Sequence, residues 1–66
     1  MKEIPVETPE AGRVVLRIKV GDRVAAGDII ADVETEKASQ ELEAFDSFTV
    51  RAVRKTTDGF ILTVED

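Results

Sequence analysis

The sequence predicts a small all-β domain, a barrel or barrel–sandwich hybrid of six or seven short strands. Three observations point there. Apolar and polar residues alternate over short stretches, as in Leu16-Arg17-Ile18-Lys19-Val20, and no long stretch keeps a helical period. Glycine–aspartate pairs at Gly21-Asp22, Gly27-Asp28 and Asp58-Gly59 punctuate those stretches. The chain is 66 residues long with no cysteine, so one thin core must be closed by strand pairing rather than by disulfides.

The elements follow in order. Residues 2–7 are extended, and Pro5, which lacks an amide donor, places them at a sheet edge. Residues 13–20 form a second strand whose later half puts Leu16, Ile18 and Val20 on one face and Arg17 and Lys19 on the other. Residues 21–28 read as two turns around a brief extended piece at Val24. Residues 29–35 make the next strand, and Glu36-Lys37-Ala38 turns the chain back. Residues 39–45 return with Gln40, Leu42 and Ala44 on one face and Glu41 and Glu43 on the other. Glutamate, leucine and alanine are good helix formers, but the alternation favours a strand.

Residues 48–54 and 60–65 form a hairpin. Asp58-Gly59 suits a two-residue type I′ turn, which would pair Val53 with Val64 and Lys55 with Leu62. Phe60, Leu62, Val64 and Val53 then share a face. Phe48, Val50 and Ala52 fall out of phase with Val53, so a bulge is expected near Ala52-Val53. The expected core is Val14 or Val15, Leu16, Ile18, Val20, Val24, Ile30, Val33, Leu42, Val50, Phe60, Leu62 and Val64, with Phe48 filling space beside Phe60.

Composition narrows the function. Nine basic and fourteen acidic residues give a net charge of −5. Nucleic-acid affinity comes largely from neutralising phosphates, so a nucleic-acid partner is not expected, nor is an anionic membrane surface. No apolar run reaches membrane-span length and no signal-peptide core opens the chain, so a cytoplasmic or mitochondrial-matrix location is expected. Without cysteine or histidine, no ordinary zinc site and no histidine acid–base pair can form. Glu34 and Glu36, like Glu41 and Glu43, sit two apart and would share a strand face, but a solvated acidic rim explains them. No phosphate loop, nucleophile elbow or calcium loop is present. No catalytic residue and no metal ligand is expected, and the chain is not read as an enzyme.

One segment is more specific. Gly21-Asp22-x-Val24, then Asp28-Ile29-Ile30, then Glu34-Thr35-Glu36-Lys37-Ala38 stand in an order and spacing that resembles the lipoyl domains of 2-oxo acid dehydrogenase complexes. Glu3-Ile4-Pro5-Val6, Gly12-x-Val14 and Glu41 fit the same pattern. The resemblance covers about residues 2–46. It implies that Lys37, at a hairpin tip, carries lipoate on its ε-amine, and that Glu34, Thr35, Glu36 and Ala38 form the recognised tip. Lipoyl ligase and 2-oxo acid dehydrogenase components would be the partners. Biotin carriers share the fold but usually flank the lysine with methionine, so Glu36 and Ala38 favour lipoate. A lone lysine in an acidic turn is ordinarily just a solvated charge; it is the surrounding motif that singles out Lys37.

The second half departs from the pattern. Ala44-Phe45-Asp46-Ser47-Phe48 stands where the family has proline and glycine, and no second Gly-Asp-x-Val turn follows. The 1–66 domain therefore divides into a lipoyl-like half, 1–46, and a C-terminal hairpin, 47–66. Three readings follow. The first is a shortened carrier presenting Lys37. The second is an engineered or chimeric barrel, a lipoyl-type half joined to a foreign hairpin, with no selected activity and no cofactor. The third is an unrelated peptide- or ligand-binding barrel. Exposed strand edges, near Pro5 or at the C-terminal strand, offer a seam for a homodimer.

Overall fold

The computed structural model describes all residues, 1–66, and contains strands and turns but no helix. Seven strands run in chain order: β1 (Lys2–Glu7), β2 (Gly12–Leu16), β3 (Arg23–Val24), β4 (Ile29–Thr35), β5 (Ser39–Glu43), β6 (Phe48–Thr56) and β7 (Gly59–Glu65). They build two antiparallel sheets, one ordered β1-β7-β6-β3 and the other β2-β4-β5. The inner faces meet in one core of Val6, Val24, Ile30, Ala31, Ala44, Phe48, Val50, Leu62 and Val64.

Two copies of one turn carry the chain between the sheets. In Lys19–Asp22 the Asp22 amide donates to the Lys19 carbonyl, and the Lys19 amide donates to the Asp22 carboxylate at 3.0 Å. Ala25–Asp28 repeats both bonds, with the Ala25 amide on Asp28 at 2.9 Å. Each turn needs positive φ at its third residue, and Gly21 (96°) and Gly27 (92°) supply it. The first turn docks on β6: the Gly21 amide donates to Val50 and the Val50 amide to Asp22. The second docks past β5: the Gly27 amide donates to Ala44 and the Ala44 amide to Asp28. The Gly-Asp signals thus fix how the two sheets face each other.

Several expectations need correction. The second strand ends at Leu16, not at residue 20, because the chain then crosses between sheets. Val20 is consequently 59% exposed and lies outside the core, while Ile18 packs half-buried against it. Val14 faces inward and Val15 outward, and residues 44 and 45 lie beyond β5. The C-terminal hairpin turns at Thr57-Asp58, not at Asp58-Gly59. Its register pairs Thr56 with Gly59, Lys55 with Phe60 and Val53 with Leu62.

The reason lies in β1. Gly59 (φ 148°) sits opposite Glu7, and a side chain there would overlap the Val6 carbonyl oxygen. The glycine therefore permits a close strand approach instead of forming the turn centre. Asp58 has no positive φ, which rules out a type I′ turn, and its carbonyl accepts the Thr8 amide at 2.7 Å. The bulge in β6 falls at Arg51, one residue earlier than expected, and returns Val53 to the inner face. Phe48 is buried in the core as expected, whereas Val6, Ala31 and Ala44 are core residues that alternation alone did not select.

Candidate functional site

The hairpin of β4 and β5 carries the site. Its ladder pairs Asp32 with Glu41, Val33 with Gln40 and Glu34 with Ser39. Extending that register brings Thr35 opposite Ala38, leaving Glu36 and Lys37 as a two-residue apex. Neither residue has positive φ, so the primed turns that ordinarily close such a hairpin are not used here. Thr35 closes it instead. Its amide donates to the Ala38 carbonyl at 2.8 Å. Its hydroxyl accepts from the Ala38 amide and donates to the Ala38 carbonyl, both at 3.2 Å. One side chain thus holds both backbone groups of the residue that follows the lysine.

Below the apex, the base is held from the neighbouring strand. Gly12 pairs with Thr35, and a side chain at position 12 would collide with the Glu34 carbonyl oxygen and the Pro9 ring. Glycine is what lets β2 begin so close under the tip. Arg13 is directly opposite Glu34 and binds its carboxylate through Nε and Nη2, each at 3.0 Å. Both groups are largely solvated, so this pair orients Glu34 more than it stabilises the fold. Ala11, Gly12, Arg13, Glu34 and Thr35 together line a shallow depression beside the apex.

The five residues singled out from sequence therefore divide. Thr35 and Ala38 form the clamp, Glu34 lies on the outer sheet face under Arg13, and Glu36 and Lys37 occupy the exposed apex. Lys37 takes part in no ion pair or hydrogen bond, so its amine and four-carbon stem extend into solvent. Sequence reasoning missed Arg13. Its only signal was its place after Gly12, on the outer face of a strand, and alternation alone cannot say which acid lies across the ladder.

A family model described as "Biotin-requiring enzyme", covering biotin- and lipoyl-bearing domains, matches residues 4–62. The chain belongs to that family. The match spans nearly all of the strands, including the turn at Thr57-Asp58. Among curated relatives, the dihydrolipoyllysine-residue acetyltransferase component of the pyruvate dehydrogenase complex of Rhizobium meliloti (strain 1021) is 50% identical over 36 residues. That stretch is 54% of this chain and 8% of the relative. The pyruvate dehydrogenase E1 component subunit beta of the same organism is 53% identical over 30 residues, 46% of this chain and 6% of that protein. This biotin/lipoyl chain thus spans a small fraction of the proteins it resembles. No solved structure matches it. Domains of the family are carriers, and catalysis is done by the enzymes that they serve.

Proposed function

We propose that this domain is a shortened lipoyl carrier and that Lys37 is its attachment site. The observation that carries the reading is the apex itself: an unpaired, fully solvated lysine raised on a two-residue tip that Thr35 clamps. A swinging arm needs both parts. The stem must be free to sweep between active sites, and its root must be fixed so that a modifying enzyme meets one geometry. A lipoyl ligase would bring the lipoyl carboxyl in activated form. The amide bond forms as Nζ attacks that carbon, loses a proton, and the activating group leaves with its bonding pair. The bound dithiolane supplies acyl and electron transfer; the domain supplies position alone.

Support for lipoate over biotin is local. Glu36 and Ala38 stand where biotin carriers usually have methionine, and one relative's printed name includes a dihydrolipoyllysine residue. The partners in this reading are a lipoyl ligase and components of a 2-oxo acid dehydrogenase complex. The shortening is part of the proposal. β6 runs directly into β7 through Thr57-Asp58, with no second Gly-Asp turn between them.

The test is co-expression with an active lipoyl ligase and lipoate, followed by intact mass. The expected result is one lipoyl increment, lost in Lys37→Arg while that variant keeps its thermal midpoint. An unmodified wild-type chain, with a control lipoyl domain modified in the same cells, would refute the reading.

A further inference from the structure

Four strands end the two sheets, and three of them are protected against further pairing. The Thr8 amide bonds Asp58, so in the β1–β7 ladder Val6, Ile4 and Lys2 face β7, and Glu3, Pro5 and Glu7 turn their backbone outward. Pro5 has no amide to offer there and the other two side chains are charged, so the edge near Pro5 is guarded, and the C-terminal strand β7, expected as another seam, lies inside its sheet. On the β5 edge, the Thr35–Ala38 bond fixes Ser39, Glu41 and Glu43 as the outward residues, and two of these are acids. β3 is only two residues long. Short edges, proline and charge are the usual protections.

β2 is the least protected: its arginines bond β4, and the residues whose backbone faces the free edge are apolar. The Arg17 amide bonds Ile30, so Arg13, Val15 and Arg17 bond β4, and Val14 and Leu16 direct their amides and carbonyls to the free edge. Their side chains face the core but are only half-buried, and Val15 between them is 43% exposed. We propose that β2 pairs antiparallel with β2 of a second copy, about a two-fold axis at Val15, to give a six-stranded sheet β5-β4-β2-β2-β4-β5.

Geometry and charge choose this occupant. With the axis at Val15, Val14 meets Leu16 of the second copy, and both residues have free backbone groups. About four new backbone hydrogen bonds result. Inner face joins inner face, so each Leu16 is covered by a Val14, and the two Val15 side chains meet outside. Pairing β2 with β5 of another copy would instead bond inward Val14 to outward Glu41 and set the two cores on opposite faces. Pairing β5 with itself would oppose carboxylates. Across the proposed seam Arg13 faces Arg17 of the second copy, but Glu34 and Asp32 hold these guanidiniums at 3.0 and 2.9 Å, so the row is neutral. A five-residue edge buries less than the roughly 1,200 Å² of a firm interface, so the association is concentration-dependent, in the micromolar range or weaker. The antiparallel arrangement sends the two Lys37 tips to opposite ends, both free.

Sedimentation equilibrium of the unmodified chain over a concentration series tests this. The weight-average mass should climb from 7.2 kDa toward twice that value. Val15→Lys should weaken association at least about tenfold, since charge guards an edge. Val20→Lys, off the edge, should not change it. Exchange of the Val14 and Leu16 amides should slow as concentration rises. A monomer at every concentration up to about 1 mM, beyond the weak-complex range, would overturn the proposal. So would equal effects of the two lysines, or concentration-dependent protection at Glu3 or Glu41 instead. If Val15→Lys does not fold, the wild-type exchange series decides alone.

Discussion

Six of the nine fully buried apolar residues lie on the four-stranded sheet: Val6, Val24, Phe48, Val50, Leu62 and Val64. Only two, Ile30 and Ala31, lie on the three-stranded sheet. The remaining inward apolar residues of the smaller sheet, Val14, Leu16, Val33 and Leu42, are half-buried. Each sheet carries one hairpin with a two-residue apex, yet the apices are built differently. Thr57-Asp58 is tied back to β1 through the Asp58 carbonyl and the close approach at Gly59. The Glu36-Lys37 apex makes no such bond to another strand: Thr35 closes it, and β2 holds only the base below it, through Gly12 opposite Thr35 and Arg13 on Glu34. The difference separates two tasks. The larger sheet holds most of the packing, and the smaller sheet presents a tip whose apex is bonded to no other strand. Phe48 is central to this division, since it fills the larger sheet where the related pattern has a glycine.

Substitutions on the two sheets can break or sharpen this contrast. Phe48→Gly should have the largest effect, destabilising by roughly 3–5 kcal/mol in urea melts. Domains this small hold only about 3–5 kcal/mol, so that variant is expected to be largely unfolded. A neutral result would mean that position 48 is not a core position. Leu62→Ala, on the same sheet, should cost about 2–5 kcal/mol. Leu16→Ala, half-buried on the smaller sheet, should cost only about 1 kcal/mol, roughly half of a full leucine transfer. Equal losses at Leu16 and Leu62 would erase the distinction between the sheets.

The smallest stability effects belong to the tip. Arg13→Ala breaks an exposed ion pair and should change the unfolding free energy by less than about 1 kcal/mol. Thr35→Val should lie within a similar range, since its lost bonds are solvated. It should nevertheless slow lipoylation several-fold, because the clamp on Ala38 is gone, and Thr35→Ser should restore the rate. A Thr35→Val tip modified at the wild-type rate would show that the clamp has no part in recognition.

Much of this was legible in the residues. Period-two alternation and the Gly-Asp turns imply an all-β fold, because they reflect local backbone demands. The turn at Glu36-Lys37-Ala38 was legible between two extended stretches, but Lys37 itself was singled out by the motif around it, through the resemblance to lipoyl domains. What was not legible was non-local. Gly59 looks like a turn former in sequence, but its conformation serves β1, more than fifty residues earlier in the chain. Val20 continues an alternation that no longer means burial once the chain leaves the sheet after Leu16. The bulge at Arg51 was read one residue late, because alternation shows a break in phase but not which residue the partner strand leaves unpaired. The Arg13–Glu34 pair required the β2–β4 register.

The contrast between the two hairpins also frames the most direct test. Lys2, Lys19, Lys37 and Lys55 are all exposed, so exposure alone cannot select among them. Lys55 even lies two residues from an apex, on the larger sheet. After co-expression with lipoyl ligase, peptide mapping by tandem mass spectrometry can place the lipoyl group among the four. The group is expected on Lys37 alone, and none on Lys55. A group found on Lys55, or spread over several lysines, would contradict the claim that the clamped tip of the smaller sheet is the carrier site.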